Sequence, residues 1–238
     1  MHKRSIVIAT IKPWNISNFR SWIVPRGFTK HLITSPEKLT LEYLRKLNPR
    51  YIFFPHWSWM IPKEIYDNFE CVVFHSANLP FGRGGSPIQN HIIRGIYDIQ
   101  VCALKVTAEV DAGSVYMRES VNIKTGSAEE ILKRISAISF KMIEKIVRLR
   151  PISKPQHGKV VVWKRRKPEE SRIPELLGGR KLYDFIRMLD ADGYPRAFIE
   201  SNGWRYEFHD AILNGKGDVS AKVSIKKIKG ENDETDKK

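Results

Sequence analysis

His75 and Asp111, 36 positions apart, are the pair in this chain best suited to acid–base chemistry. An imidazole titrates near neutrality, so it can both take and give a proton. A carboxylate beside it fixes its tautomer and stabilises the imidazolium. The surrounding sequence argues for a shared site. Cys71-Val72-Val73-Phe74 is a short, β-branched apolar run, the mark of a buried strand, and His75 sits at its C-terminal edge. A second strand over 99–106 leads to Asp111-Ala112-Gly113, so the two groups are expected to end neighbouring strands. Ligands of open α/β sheets bind beyond such carboxyl ends. Between them lies a glycine-rich turn, Phe81-Gly82-Arg83-Gly84-Gly85-Ser86, with Pro87 placed to open a helix over 87–94. Its glycines allow a close backbone approach to substrate or cradle a phosphate. Arg83 pairs with that phosphate or braces the loop.

Positioning these groups takes alternating strands and helices. Strands are read over 5–10, 28–34, 50–54 and 71–74, with helices from Asn15 or Ser17 to Trp22, from Ser35-Pro36 through Leu47, and over 63–69. Ser127 and Glu130 form a capping box for a long helix to about Arg150, whose apolar stripe Ile131, Ile135, Ile138, Met142, Ile146 packs a core. Pro151 to Pro155 reads as a linker, and 160–163 as a strand before the basic run Lys164-Arg165-Arg166-Lys167. That run meets a phosphate or is a solvated turn. A helix over 182–189, a hairpin around Asn202-Gly203 and an alternating run over 221–228 make up the last third. The fold class is α/β: a mixed, mostly parallel Rossmann-like sheet with a small, strand-rich C-terminal α+β appendage. The divisions expected are 1–150, 151–228 and a disordered tail over 229–238.

His75, Leu79-Pro80, Arg83-Gly84, Pro87-Ile88-Gln89 and Val110-Asp111-Ala112-Gly113 resemble the signature of folate-dependent formyltransferases. That family's pattern runs Asn-x-His-x-Ser-Leu-Leu-Pro, then Arg-Gly-x-x-Pro-x-Gln, then Leu-Asp-x-Gly. The motifs fall in order and without gaps; the clear likeness covers about 50–120. The resemblance implies a formyl-tetrahydrofolate co-substrate, with His75 and Asp111 catalytic. It implies a pterin pocket flanked by Trp59, Met60 and Ile61 and by Ala108, Glu109 and Val110. Substrate contacts are expected from Arg83, Gly84, Ser86, Gln89 and Asn90. One departure matters: Val73 stands where the family has its oxyanion-binding Asn. Asn78, on the loop after His75, is the expected substitute donor. Asn90, a backbone N–H or His75 alone are the alternatives. Trp57 and Trp59 wall a flat heterocycle or fill core; His56 is read as a structural histidine.

Composition narrows the partners. Among 238 residues the net charge is +15, which suits an anionic partner or reflects a lysine-rich surface. No run approaches a membrane span, and Met1-His2-Lys3-Arg4 enters a strand directly, so no signal peptide is expected. Cys71 and Cys102 lie in strand runs as buried thiols, and a cytoplasmic setting follows. No His/Cys ligand spacing calls for a metal. In the resembled family the tRNA enzyme carries a larger β-barrel tail and the sugar enzymes short appendages, so about 88 residues after the catalytic core imply, through that resemblance, an amino-sugar acceptor carried on a nucleotide. The alternative is methionyl-tRNA, with tRNA as partner under that reading alone. Hydrolysis of formyl-tetrahydrofolate and a non-catalytic folate-binding relative rank lower. A homodimer is compatible with this sequence.

Overall fold

The computed structural model describes residues 4–228; the tail expected over 229–238 lies outside the described residues. In chain order the elements are β1 (Arg4–Ala9), α1 (Pro13–Ser21), β2 (Phe28–Ile33), α2 (Leu41–Leu47), β3 (Pro49–Phe54), α3 (Lys63–Tyr66), β4 (Cys71–Ser76) and β5 (Phe81–Gly84). They continue as α4 (Pro87–Ile93), β6 (Asp98–Lys105), β7 (Val115–Asn122), α5 (Ala128–Leu149), β8 (Val161–Trp163), α6 (Gly179–Arg187), β9 (Ala197–Ser201), β10 (Trp204–Leu213) and β11 (Val219–Lys227).

Continuous apolar runs make β1, β3 and β4 strands buried on both faces, as parallel strands under helices must be. The main sheet has the order β2-β1-β3-β4-β6-β7. Its first four strands are parallel, while β6 runs antiparallel to β4 and β7 antiparallel to β6. The sheet is therefore mixed and mostly parallel, as expected. Alternate residues feed two apolar clusters. Ile6, Ile8, Phe53 and Val72 face α5, while Val7, Ala9, Ile52, Phe54 and Cys71 face the α2 side. The capping box of α5 is formed: Glu130 N donates to Ser127 Oγ at 3.2 Å, and Ser127 N to Glu130 Oε2 at 2.8 Å.

Several local expectations are corrected. Asn15 does not cap α1 but lies buried in it. It donates to Thr10 Oγ1 and Pro55 O at 2.9 and 3.0 Å and accepts from Ser136, which locks the ends of β1 and β3 together. The helix expected from Ser35 is split: residues 36–38 form a 3₁₀ turn, and α2 starts afresh on Thr40, whose hydroxyl takes Tyr43 N. Strands β5 and β7 were not anticipated. The stretch 151–155 is no free linker, because Lys154 exchanges backbone bonds of 2.8 and 2.9 Å with Val115.

The glycine-rich turn serves the chain's own packing. β5 pairs in parallel with β8, and a Cβ on Gly82 would meet the Trp163 ring, on Gly84 the Trp163 carbonyl, and on Gly85 the backbone of Arg165. The space on the Cβ side of these glycines is filled by the 161–165 segment, while Gly84, Gly85 and Ser86 still line the main cavity.

The last third is a three-stranded antiparallel sheet, β11-β10-β9, with α6 on it. Asn202 and Gly203 both take positive φ, 50° and 78°, as the tight hairpin turn requires. Buried Asp184 docks this unit. It accepts from Tyr97 at 2.6 Å, Arg180 at 2.9 Å and Arg187 at 2.6 Å, and Arg187 also holds Gly126 O.

Gly85→Ala should lower stability by about 1–3 kcal/mol through overpacking against Arg165. Gly215→Ala, whose added carbon meets nothing within 4 Å, is the control. Urea midpoints read both; equal midpoints would show that the 161–165 segment yields freely.

Candidate functional site

Loops at the C-terminal ends of β1, β3 and β4 enclose a cavity of about 740 Å³. His75 and Asp111 meet in its wall. His75 Nδ1 lies 3.3 Å from Asp111 Oδ2, and its Nε2 lies 2.7 Å from Gly82 O. The same carboxylate oxygen accepts from Gly84 N at 2.9 Å. The side chains are 8% and 10% exposed, so the pair works largely out of water. Both ring nitrogens face acceptors, and only the imidazolium donates from both.

The route by which Asp111 arrives differs from expectation. β6 is antiparallel to β4, with Lys105 opposite Val72, so its end points away from His75. Asp111 ends no strand beside His75; the loop 106–114 doubles back to deliver it. Arg83 and Gln156 hold that loop. Arg83 Nη1 donates to Glu109 Oε1 at 2.9 Å, and its Nε and Nη2 donate to Gln156 Oε1 at 3.2 and 3.1 Å. Gln156 Nε2 donates to Asp111 O at 2.7 Å and Gly113 O at 2.9 Å. Asp111 sits at φ 55°, a left-handed conformation, as do His56 at 54° and Ser86 at 50° on the same cavity. Such strain persists where the surroundings over-determine it, and it concentrates at functional sites. Gln156 was missed in the sequence, since nothing in its neighbourhood marks a lone Gln.

Of the expected folate neighbours, Trp59, Met60, Ile61, Glu109 and Val110 line the cavity. Trp59, Met60 and Val110 are 43%, 73% and 52% exposed, a run of uncovered apolar surface at one mouth. Trp57 packs at 4.9 Å on Trp59, and its buried indole N–H has no hydrogen-bond partner. A flat, hydrogen-bonding heterocycle fits that wall. Ala108 is exposed and is not part of the lining.

Of the expected substrate contacts, Gly84, Ser86 and Gln89 line the cavity, with Gln89 also donating to Met188 O at 3.1 Å. Arg83 is a brace. Asn90 is corrected: its amide donates to Gly85 O and Ser86 O at 3.0 and 3.1 Å, and its oxygen accepts from Arg94. Asn78 is corrected as well. It faces a separate shallow depression with Asp98 and Asn122, and its amide reaches Asp98 O at 3.4 Å. The antiparallel β6 beside β4 draws it there. Val73, which stands in place of the family's Asn, shares the wall with His75.

The cavity reaches both faces of the sheet around β4: Val73 packs on the α2-side cluster and Phe74 on the α5-side cluster, and both line it. Lys12, Arg165, Arg166 and Lys167 line it on the α5 side. His56 is held neutral there, pushed down to about 4 by burial and then by Lys12 and Arg165. Burial raises Tyr194, whose hydroxyl bonds Gln89. Burial also pushes Cys71 up to about 12 and Cys102 up to about 11, so both stay protonated and unreactive at neutral pH. Among the described residues, no group of three or more His, Cys, Asp or Glu side chains gathers to hold a metal, and no helix is long and apolar enough to cross a membrane.

A family model described as formyl transferase matches residues 23–146, and one described as methionyl-tRNA formyltransferase, C-terminal domain, matches 168–226. A solved methionyl-tRNA formyltransferase from Clostridium thermocellum is 44% identical with a TM-score of 0.88, over 94% of this chain and 99% of that one. The methionyl-tRNA formyltransferase of Wolinella succinogenes is 28% identical over 66% of this chain. The chain spans about half the length of that curated relative, 52%. HypX from Aquifex aeolicus, solved with tetrahydrofolic acid, shares the fold at 18% identity and a TM-score of 0.72, over 89% of this chain and 38% of that one. These findings overturn the amino-sugar expectation. It rested on the short tail, yet the Clostridium chain, matched over 99% of its length, has a tail as short under the methionyl-tRNA name.

Asp111→Asn should cut turnover more than about tenfold with the fold intact, while Asn78→Ala should leave kcat unchanged. The reverse pattern in steady-state kinetics would exchange their roles. Stability should also depend on His56. The unfolded imidazole takes its proton near 6.5 and the folded one only near 4, so stability is full above 6.5 and falls as pH drops toward 4. The loss from this residue is at most about 3 kcal/mol. His56→Gln should flatten the slope of urea midpoints between pH 7 and 5; an unchanged slope would clear His56 of the effect.

Proposed function

This chain belongs to the formyl transferase family, and we propose that it is a methionyl-tRNA formyltransferase, moving a formyl group from formyl-tetrahydrofolate to the α-amine of methionine carried on tRNA. The observation that carries the reading is one cavity with two unlike walls meeting at His75 and Asp111. One wall is aromatic and apolar, from Trp57 through Ile61; the other is rimmed by Lys12 and Arg165 to Lys167. Group transfer between a flat donor and a polyanionic acceptor needs both. The match of 168–226 to a methionyl-tRNA formyltransferase C-terminal domain and the net charge of +15 support the same acceptor.

The chemistry is attack of an amine on a formyl carbon, with one proton leaving the amine and one reaching the folate nitrogen. His75 moves that proton. Asp111 holds the ring and balances its charge, and Gly84 N keeps the carboxylate in place. Arg83 and Gln156 are positioning residues, acting through the loop of Asp111. Trp57, Trp59, Met60 and Ile61 would receive the pterin and keep water from it. Residues 1–150 are the catalytic unit and 151–228 an acceptor-side unit in this proposal.

Formylation should be assayed with charged initiator tRNA and formyl-tetrahydrofolate. The expected result is formyl-methionyl-tRNA, with KM for tRNA rising steeply with salt as phosphate contacts are screened. Consumption of formyl-tetrahydrofolate at the same rate without tRNA would instead mark a hydrolase.

A further inference from the structure

His56 lines the cavity without taking part in the protein's own hydrogen bonding. Among the described residues no group bonds either ring nitrogen, and neither nitrogen is sealed off. A buried or half-buried histidine kept for the fold alone is normally tied into it. This ring only rests edge-on against Trp14, at 6.0 Å. Its place on the sheet matters as well. β3 and β4 are parallel, with Phe54 opposite Val73. His56 follows Phe54 by two residues, as His75 follows Val73. Two neighbouring strand ends thus deliver two imidazoles to one cavity. His75 is held by Asp111 and Gly82, while His56 is left open to a ligand.

Resting on the methionyl-tRNA reading, we propose that the unprotonated nitrogen of His56 accepts an N–H of the acceptor's α-amine and aims the amine's lone pair at the formyl carbon. A neutral imidazole carries one donor and one acceptor. Burial, then Lys12 and Arg165, keep His56 in that form. Those two cations are donors alone. Lys12 lies over the Trp14 and Tyr194 rings, at 5.5 and 5.8 Å. The nearby carboxylates are engaged: Asp111 Oδ2 by His75 and Gly84, Glu109 by Arg83. His56 is therefore an unoccupied acceptor at the level of the sheet where the amine must arrive. The same cations disfavour an ammonium beside them, which keeps the bound amine in its free, nucleophilic form. The step balances with one N–H toward each histidine. The amine nitrogen bonds to the formyl carbon, and the bond from that carbon to the folate nitrogen breaks. His75 takes one proton from the amine and passes it to the folate nitrogen. His56 takes none; it holds the second N–H and stays neutral.

The test is kcat/KM for methionyl-tRNA, expressed per tetrahydrofolate-binding site so that misfolded enzyme does not count. His56→Leu occupies the space without an acceptor and should lower it about tenfold or more. His56 sits at φ 54°, a conformation that Asn and Gly also adopt. His56→Asn keeps an acceptor and should stay within about threefold of wild type. His56→Gly leaves a hole, and exogenous imidazole should raise its rate about tenfold. A merely structural role gives no such rescue. KM for formyl-tetrahydrofolate should not move in any variant. With a wild type that formylates methionyl-tRNA, either of two results overturns this proposal alone. One is a Leu variant at the wild-type value. The other is an Asn variant as slow as the Leu variant, with a Gly variant that ignores imidazole. A wild type that formylates no aminoacyl-tRNA overturns the methionyl-tRNA reading and this proposal with it.

Discussion

The geometry of the site depends on one carboxylate oxygen. Asp111 Oδ2 faces His75 Nδ1 and accepts from Gly84 N, so it joins β4, the glycine-rich turn and the loop 106–114 at a single point. Nothing in the local chain favours that meeting. β6 leaves β4 in the antiparallel sense, and the left-handed φ of Asp111 adds a local cost. Arg83 and Gln156 pin the loop at Glu109, Asp111 and Gly113 with charge-assisted and backbone bonds. Gln156 comes just after Lys154, which is bound to the start of β7. The orientation of the His75–Asp111 pair is thus set from a segment 45 residues downstream.

That dependence explains why the glycine turn is so crowded. The chain after α5 must pass beside β5 to reach the C-terminal unit, and it does so as β8, paired in parallel over Phe81 to Gly84. Trp163 seats itself between Phe81 and His91, at 5.3 and 4.7 Å, with Arg94 over its ring at 5.1 Å. Side chains at Gly82, Gly84 or Gly85 would push this segment off. Close backbone approach is what the glycines allow, but the partner is β8, and Gly84 N is left free to bond Asp111. Arg165 to Lys167, carried on the far end of the same segment, then reach the cavity mouth.

Much of this was legible in the sequence for definite reasons. Strands β1, β3 and β4 are continuous apolar runs, α5 announces itself by Ser127 and Glu130, and the hairpin by Asn202-Gly203. His75 and Asp111 stood out by type and motif. What stayed hidden was set by pairing at a distance. β5 is four residues, two of them glycine, with no strand pattern, and it pairs with β8. The sense of β6 is invisible in its composition, and that sense sends Asn78 to a different depression from the one His75 lines. Nothing in the sequence singles out Leu132 and Leu189, which line the cavity, because an apolar residue that walls a cavity is of the same type as one that fills a core.

Val73 is best understood together with the Gly82 carbonyl. The pattern this chain resembles has an amide donor at that position, two residues before the histidine on the same strand face. Here the position is apolar, and Asn78 and Asn90 are both committed to backbone carbonyls. His75 Nε2 is itself bonded to Gly82 O at 2.7 Å, so the resting site keeps its one strong donor satisfied internally. A developing oxyanion is a far better acceptor than a peptide carbonyl. On the proposed reading, exchange of the Nε2–H from Gly82 O to that oxygen would cost about one ordinary hydrogen bond, roughly 1 kcal/mol, and would return a charge-assisted one. Val73, apolar and on the same cavity wall, would then keep water from the imidazole and strengthen the new bond in a low dielectric. On the proposed reading, the work of a separate oxyanion donor would fall to the histidine once its ring has taken the amine's proton, and Asp111 would balance the charge of that imidazolium.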